Sequence, residues 1–270
     1  MHRRQPSIRF LSLVLAVALS IWQVPPAFAD RSDTLTIAAA NSIKQALRHL
    51  LPLFEVQHKN ADIRVIYGPS QSLRTQIEQG APIDVFLPSS IGEIDKLEQA
   101  GLIIKNSKRL YAQTRVVLIT GNLLPANIIS IQEVAKPEVR RIAIGSTKTS
   151  SVGTFAAEVF ENLNIDKQVK SRYLYAEHSG AVLDLVARGE AEVGVVYRTD
   201  AAQNSKVRVV AEAPPGSHSP VLYGLAIVWT ASNVSLAREF SEFLSSPAAQ
   251  RALQEDGFDR LPSQTGLVKE

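Results

Sequence analysis

The chain has 270 residues with 29 basic and 26 acidic side chains, a net charge of +3, 45% hydrophobic residues and no cysteine. The lack of cysteine excludes disulfides, thiolate metal centres, a cysteine nucleophile and a lipid-bearing cysteine. Arg3, Arg4 and Arg9 account for the whole basic excess; without residues 1–29 the charges balance at 26 of each sign, which removes the compositional ground for binding nucleic acid or an anionic membrane.

At the amino terminus, His2, Arg3, Arg4 and Arg9 precede an apolar run from Phe10 to Trp22, and Ala27-Phe28-Ala29 places small residues two apart. The pattern predicts a signal peptide, residues 1–29, cleaved before Asp30, because the apolar run is shorter than the ~20 residues that span a bilayer. The product is expected to be periplasmic, soluble and unanchored.

A strand is predicted over Leu35–Ala40, then a helix from Ser42 to His58 in which Ile43, Ala46, Leu47, Leu50, Leu51 and Phe54 recur at spacings of three and four. Strand Ile63–Tyr67, helix Leu73–Gln79 stopped at Gly80, strand Asp84–Leu87 and a helix over Ile91–Gly101 continue the alternation. Such an order implies an α/β fold, a mostly parallel sheet covered by helices, with ligand positions at the carboxyl ends of its strands. Strand Thr114–Thr120 follows, the pattern breaks over Gly121–Pro125, and a second unit begins: strand Arg141–Gly145, loop Ser146–Gly153, helix Thr154–Leu163, helix Gly180–Arg188, and strands Glu192–Tyr197 and Val207–Ala211. Tyr223–Trp229 reads as a return strand, and two helices, Ser235–Leu244 and Pro247–Asp256, close the chain, with Pro247 suited to a first helical turn. Crossings at Thr114–Thr120 and Tyr223–Trp229 predict a two-strand hinge between lobe I (30–113 with 225–270) and lobe II (114–224).

Both early junctions, Ala40-Asn41-Ser42-Ile43 and Gly68-Pro69-Ser70-Gln71-Ser72, carry hydroxyls from a strand end into a helix start. The first N–H groups of a helix have no partner within it and lie at the positive end of its dipole, so each junction is a potential anion seat, and two facing seats would hold one oxyanion. Ser42 and Ser70 suit plain helix capping equally well, and Tyr197, ending an apolar strand, suits the core. The loop Gly145–Gly153 follows a strand and precedes a helix, but Lys148 lies mid-loop and the Gly-Lys-Ser/Thr spacing of a nucleotide loop is absent, so a hydroxyl-rich oxyanion loop is the reading. His49, His58, His178 and His218 show no ligand spacing, and no Gly-x-Ser-x-Gly elbow occurs, so neither a direct protein–metal ligand set, nor a cofactor, nor catalysis is expected.

Four segments, Ala38-Ala-Ala-Asn-Ser-Ile43, Ser70-Gln-Ser-Leu-Arg-Thr-Gln-Ile-Glu-Gln-Gly-Ala-Pro-Ile-Asp-Val-Phe86, Arg141-Ile-Ala-Ile-Gly145 and Gly194-Val-Val-Tyr-Arg-Thr-Asp-Ala201, together resemble the periplasmic molybdate-binding proteins of ABC importers. The resemblance spans essentially the whole chain after residue 29. It implies a two-lobed periplasmic binding protein of type II-like architecture, expected as a monomer, that captures molybdate, and tungstate too, between the lobes and delivers it to a membrane ABC permease. It implies uncharged donors: Ser42 with Asn41 at the first seat, Ser70 at the second, the Tyr197 phenol from lobe II, and main-chain N–H groups at Val152 and His178. The His178 side chain is expected to sit in a turn without adding charge, and Glu177 to face solvent. The alternatives are a binder of another tetrahedral oxyanion such as sulfate or thiosulfate, and the effector-sensing domain of a regulator.

Overall fold

Apolar and small residues fill the end of the first strand, and that composition sets its place in the molecule. In the computed structural model, which describes residues 34–122 and 128–261, strand β1 (Thr34–Ala40) is fully buried from Ile37 to Ala40. It pairs in parallel with β2 (Asp62–Gly68) on one side and β3 (Val85–Leu87) on the other. β2 alternates exposed and half-buried residues, as an edge strand does, and it forms the edge of this sheet. The predicted signal segment, residues 1–29, lies outside the described residues, as do 123–125 of the predicted break.

The connections are helical. One turn of 3-10 helix (Asn41–Ile43) leads into α1 (Lys44–Glu55), which buries Ala46, Leu47, Leu50 and Phe54 along one stripe; α2 (Ser70–Glu78) and α3 (Ile91–Gln99) follow β2 and β3. Strand β4 (Arg109–Thr114) then ends this sheet, and after the single residue Arg115 strand β5 (Val116–Gly121) opens a second one. That second sheet gains β6 (Ile142–Gly145), then α4 (Ser151–Asn162), α5 (Asp166–Val169), β7 (Tyr173–Ala176), α6 (Ser179–Ala187), β8 (Val193–Tyr197), α7 (Arg198–Ala201) and β9 (Val207–Glu212). The chain returns through β10 (Val221–Ile227) to the first sheet and ends in α8 (Val234–Leu244) and α9 (Pro247–Glu255). Asn233 and Ser246 cap these last helices, accepting from the N–H groups of Leu236 and Ala249.

The strand orders are β2-β1-β3-β10-β4 and β7-β6-β8-β5-β9, two five-stranded sheets flanked by helices. This is the expected two-lobed α/β fold, and in each mostly parallel sheet one strand of the five is reversed, which makes both sheets mixed. β10 runs antiparallel to both β3 and β4, and β5 runs antiparallel to both β8 and β9. The reason lies in the crossing strands, which enter each sheet from the other one without a helical crossover and so pair against the direction of the βαβ strands. The second crossing also differs from its expected position. Val221–Leu225 pair with β4 throughout, so the chain passes between sheets over 213–220, ahead of Tyr223–Trp229.

Asp84 fastens one end of the first sheet. Only 4% exposed, its carboxylate accepts from the Thr36 N–H at 2.7 Å and from the Ser232 N–H and hydroxyl at 2.6 and 2.9 Å. The junction of β6 and α4 is closer still: a Cβ placed on Gly153 would stand 2.2 Å from the Gly145 carbonyl oxygen. Gly153→Ala is therefore expected to destabilise the protein by about 2 kcal/mol, because backbone must move to admit one methyl group. Urea unfolding of the variant beside the parent measures it.

Candidate functional site

Six strand ends converge on one small cleft between the sheets. Asn41 and Ser42 follow β1, Ser70 follows β2, and Ser89 follows β3; Ser150 follows β6, His178 and Ser179 follow β7, and Tyr197 is the last residue of β8. All eight line the cleft together with Ala40, Gly68 and Pro69. Each of the helical segments that follow begins here, so several unsatisfied N–H groups and dipole ends point towards the same space. None of these lining residues is Lys, Arg, Asp or Glu.

Hydrogen bonds fix the hydroxyls. Tyr223, on β10 beneath the cleft, donates its phenol to Ser42 Oγ at 2.8 Å, which takes one lone pair and leaves the Ser42 proton available to an acceptor. Ser70 Oγ accepts the Ser89 N–H at 3.1 Å and lies 3.1 Å from Ser89 Oγ. From the other lobe the Tyr197 phenol donates to Ser89 Oγ at 3.2 Å. Nearby, the Gln71 N–H donates to the Thr149 carbonyl at 3.3 Å and the Gln71 amide to the Thr154 hydroxyl at 3.2 Å, so beside the cleft the lobes meet through these uncharged bonds, while away from it Arg198 pairs with Asp259 at 2.6 Å. Tyr197 and Tyr223 are 1% and 0% exposed and their rings meet edge to face, with centroids 6.1 Å apart. Burial pushes both phenols far above the ordinary tyrosine range, so each remains a protonated donor at neutral pH.

Of the residues singled out in the sequence, Asn41, Ser42, Ser70, His178 and Tyr197 meet in this cleft, while Val152 does not line it. Helix α4 starts at Ser151, three residues ahead of the predicted start, so Val152 falls in its first turn, where a main-chain N–H has no intrahelical partner, with its side chain buried beside Gly145; Ser150, just ahead of the helix, lines the cleft. Ser89, Ser179 and the supporting Tyr223 were not picked out, and Ser150 entered only as part of the hydroxyl-rich loop Gly145–Gly153. Ser89 carried a signal, since Leu87-Pro-Ser89-Ser-Ile91 repeats the strand-to-serine-to-helix pattern of the first two junctions. Glu177 and Lys148 are both exposed.

His178 does more than sit in a turn. Its Nδ1 accepts the Ala181 N–H at 3.1 Å and so caps α6, which places the ring proton on Nε2. Burial holds the imidazole below the ordinary histidine value, against the opposing pull of Glu177 and Asp184. The folded state therefore binds this proton less readily than the unfolded chain. The capping contribution is full above the unfolded value of ~6.5 and is lost as pH falls below it. His178→Ala is expected to cost about 1 kcal/mol at pH 7.5 and less at pH 5, whereas His178→Asn keeps a capping acceptor and flattens that difference. Urea unfolding at the two pH values distinguishes them.

A family model described as bacterial extracellular solute-binding protein matches residues 35–259. Among curated relatives, a putative ABC transporter substrate-binding lipoprotein of Bacillus subtilis, YvgL, is 32% identical over 229 residues, covering 85% of this chain and 87% of the relative. The molybdate-binding protein ModA of Haemophilus influenzae is 30% identical over 230 residues, covering 84% of this chain and 90% of the relative. Among solved structures, the substrate binding domain of a putative molybdenum ABC transporter from Clostridium difficile superposes with a TM-score of 0.67 at 30% identity, covering 85% of this chain and 99% of that one.

Proposed function

This chain belongs to the family of bacterial extracellular solute-binding proteins, and from that premise we propose that it captures molybdate, and tungstate with it, as the binding component of an ABC importer. The observation that carries this reading is the set of uncharged donors from both lobes, the Ser42, Ser70 and Ser89 hydroxyls on one side and Ser150, Ser179 and the Tyr197 phenol on the other, around one cleft. Hydrogen bonds to a charged acceptor contribute about 1.5–3 kcal/mol each, so a handful of them can offset the desolvation of a dianion without a lysine, arginine or metal. Leaving out a full positive charge also favours release, which a transport protein requires.

Donors contributed by the second lobe favour the arrangement in which both lobes contact the ligand, by as much as their added affinity. The two crossings at Arg115 and 213–220 are where the lobes would turn about each other. The closed pair of lobes is then the form a membrane permease recognises, and the predicted signal peptide places that encounter in the periplasm. Catalysis has no part in this reading.

Selectivity among tetrahedral anions follows from size, because hydroxyl and N–H donors recognise charge and shape alike and sulfate has shorter bonds than molybdate. Isothermal titration calorimetry of protein unfolded, stripped of ligand and refolded, with molybdate, tungstate and sulfate in parallel, tests it. Tight binding of the first two with no heat from sulfate is the expected result. Sulfate binding alone would move the protein to the sulfate class, and silence towards all three would overturn the oxyanion reading.

A further inference from the structure

We propose that capture of the oxyanion is coupled to protonation, from bulk water, of Asp200, the carboxyl group standing behind the Ser179 wall of the cleft. This deepens the oxyanion reading and rests on it.

Asp200 lies in the short helix α7, three residues after Tyr197, and its carboxylate accepts the hydroxyl of Ser179, the first residue of α6. The same Ser179 oxygen accepts the Tyr197 N–H at 3.4 Å. One serine thus separates a carboxyl group from the space that six strand ends surround, and Ser179 itself is only 3% exposed. With Asp200 ionised, the Ser179 proton is spent on the carboxylate and a negative charge faces the cleft across a single hydroxyl. With Asp200 protonated, its O–H donates to Ser179 Oγ, and the Ser179 hydroxyl is released to turn its own proton into the cleft. Protonation therefore removes a repulsive charge and adds a donor, and both changes favour a bound anion. By reciprocity, a bound anion favours protonation.

Among the described residues, the groups that act on the Asp200 carboxyl, besides burial, are the Ser179 hydroxyl and the Tyr197 N–H rather than a cation. From α6 the groups towards Asp200 are Ser179 and, at the cap, His178; Asp184 and Arg188 lie further along, Arg188 being paired with Glu190. β8 and β10 contribute the phenols of Tyr197 and Tyr223, whose protons are held by burial and by the Asp200 charge. Arg198, in the same turn, is directed to Asp259 at 2.6 Å and to the Gly257 carbonyl. β5 faces α7 without a charged side chain; on β9, Glu212 is bonded to Arg115 and Arg208 stands opposite Thr120. Burial is the largest influence on Asp200 and pushes its carboxyl up to about 7, against the Ser179 and Tyr197 hydrogen bonds, so both protonation states are populated at neutral pH.

The test is calorimetric titration with molybdate in several buffers that differ in ionisation enthalpy. At pH 7 to 7.5 the observed enthalpy is expected to vary with buffer enthalpy with a slope of about 0.5 proton taken up per anion, falling towards zero at pH 5.5, where Asp200 is already protonated. Asp200→Asn is expected to abolish the slope, and His178→Asn, which removes the other group titrating in this range at the cleft, to retain it. An infrared difference spectrum of the unmodified protein on molybdate addition should gain a protonated-carboxyl band, a readout that needs no variant. Binding of molybdate with zero slope at pH 7.5, or a slope that survives in Asp200→Asn, overturns the proton uptake and leaves the oxyanion reading intact. Absence of molybdate binding overturns both.

Discussion

Replacing Tyr197 by phenylalanine is expected to weaken molybdate binding by about 30- to 100-fold while changing unfolding stability by about 1 kcal/mol or less. Tyr197 closes β8 and is 1% exposed, with its ring wedged edge to face between Phe155 and Tyr223, contacts that phenylalanine reproduces. Only the hydroxyl is lost. Its partner, Ser89 Oγ, keeps its bond to Ser70, so the substitution leaves no orphaned buried group to destabilise the fold. The proposed ligand, by contrast, is expected to lose a phenol donor offered from the second lobe, and with it part of the drive towards lobe closure. Calorimetric affinity together with urea unfolding separates the two effects; unchanged affinity in a folded variant would remove Tyr197 from the site.

Ser70→Ala carries a comparable loss of affinity, about 10- to 100-fold, and is expected to add a stability penalty of about 1–3 kcal/mol. The difference between the two variants comes from what each hydroxyl does inside the protein. Ser70 Oγ is the acceptor for the buried Ser89 N–H at 3.1 Å, and alanine leaves that N–H without its partner. Because Ser89 touches both Ser70 and Tyr197, the double variant should fall short of the summed single losses, a coupling that independent sites would not show. Full additivity would mean that Ser70 and Tyr197 do not serve one ligand through a shared Ser89.

Most of the elements were legible because their patterns are local. The stripe Ala46, Leu47, Leu50, Phe54 and the apolar runs of β1, β6 and β8 announce helix and buried strand by period alone. β4 and β7 escaped for the opposite reason. Both lie at sheet edges, where Arg109, Gln113 and Tyr175 stay partly in water and blur the apolar run on which a strand assignment depends. The one reversed strand of each sheet, β10 and β5, was likewise hidden, since its direction is set by which sheet the chain has just left.

The cleft divides along similar lines. Asn41, Ser42 and Ser70 stand where a strand meets a helix, a junction visible in sequence, and Tyr197 and His178 came through the family resemblance. Ser150 joins the wall because α4 starts three residues earlier than its apolar pattern suggested, which also sets Val152 among the first-turn N–H groups. Asp200 and Tyr223 had no local signature. Each matters through a partner distant in sequence, Ser179 for one and Ser42, 181 positions away, for the other, and such pairings exist only once the two sheets are brought together.

Crystals grown with molybdate and measured at the molybdenum absorption edge would locate the bound anion outright. One anomalous peak between the lobes, within hydrogen-bonding reach of Ser42, Ser70 and the Tyr197 phenol and with no lysine or arginine touching its oxygens, is the result expected of this donor set. A peak held elsewhere, or one neutralised by a basic side chain, would contradict it.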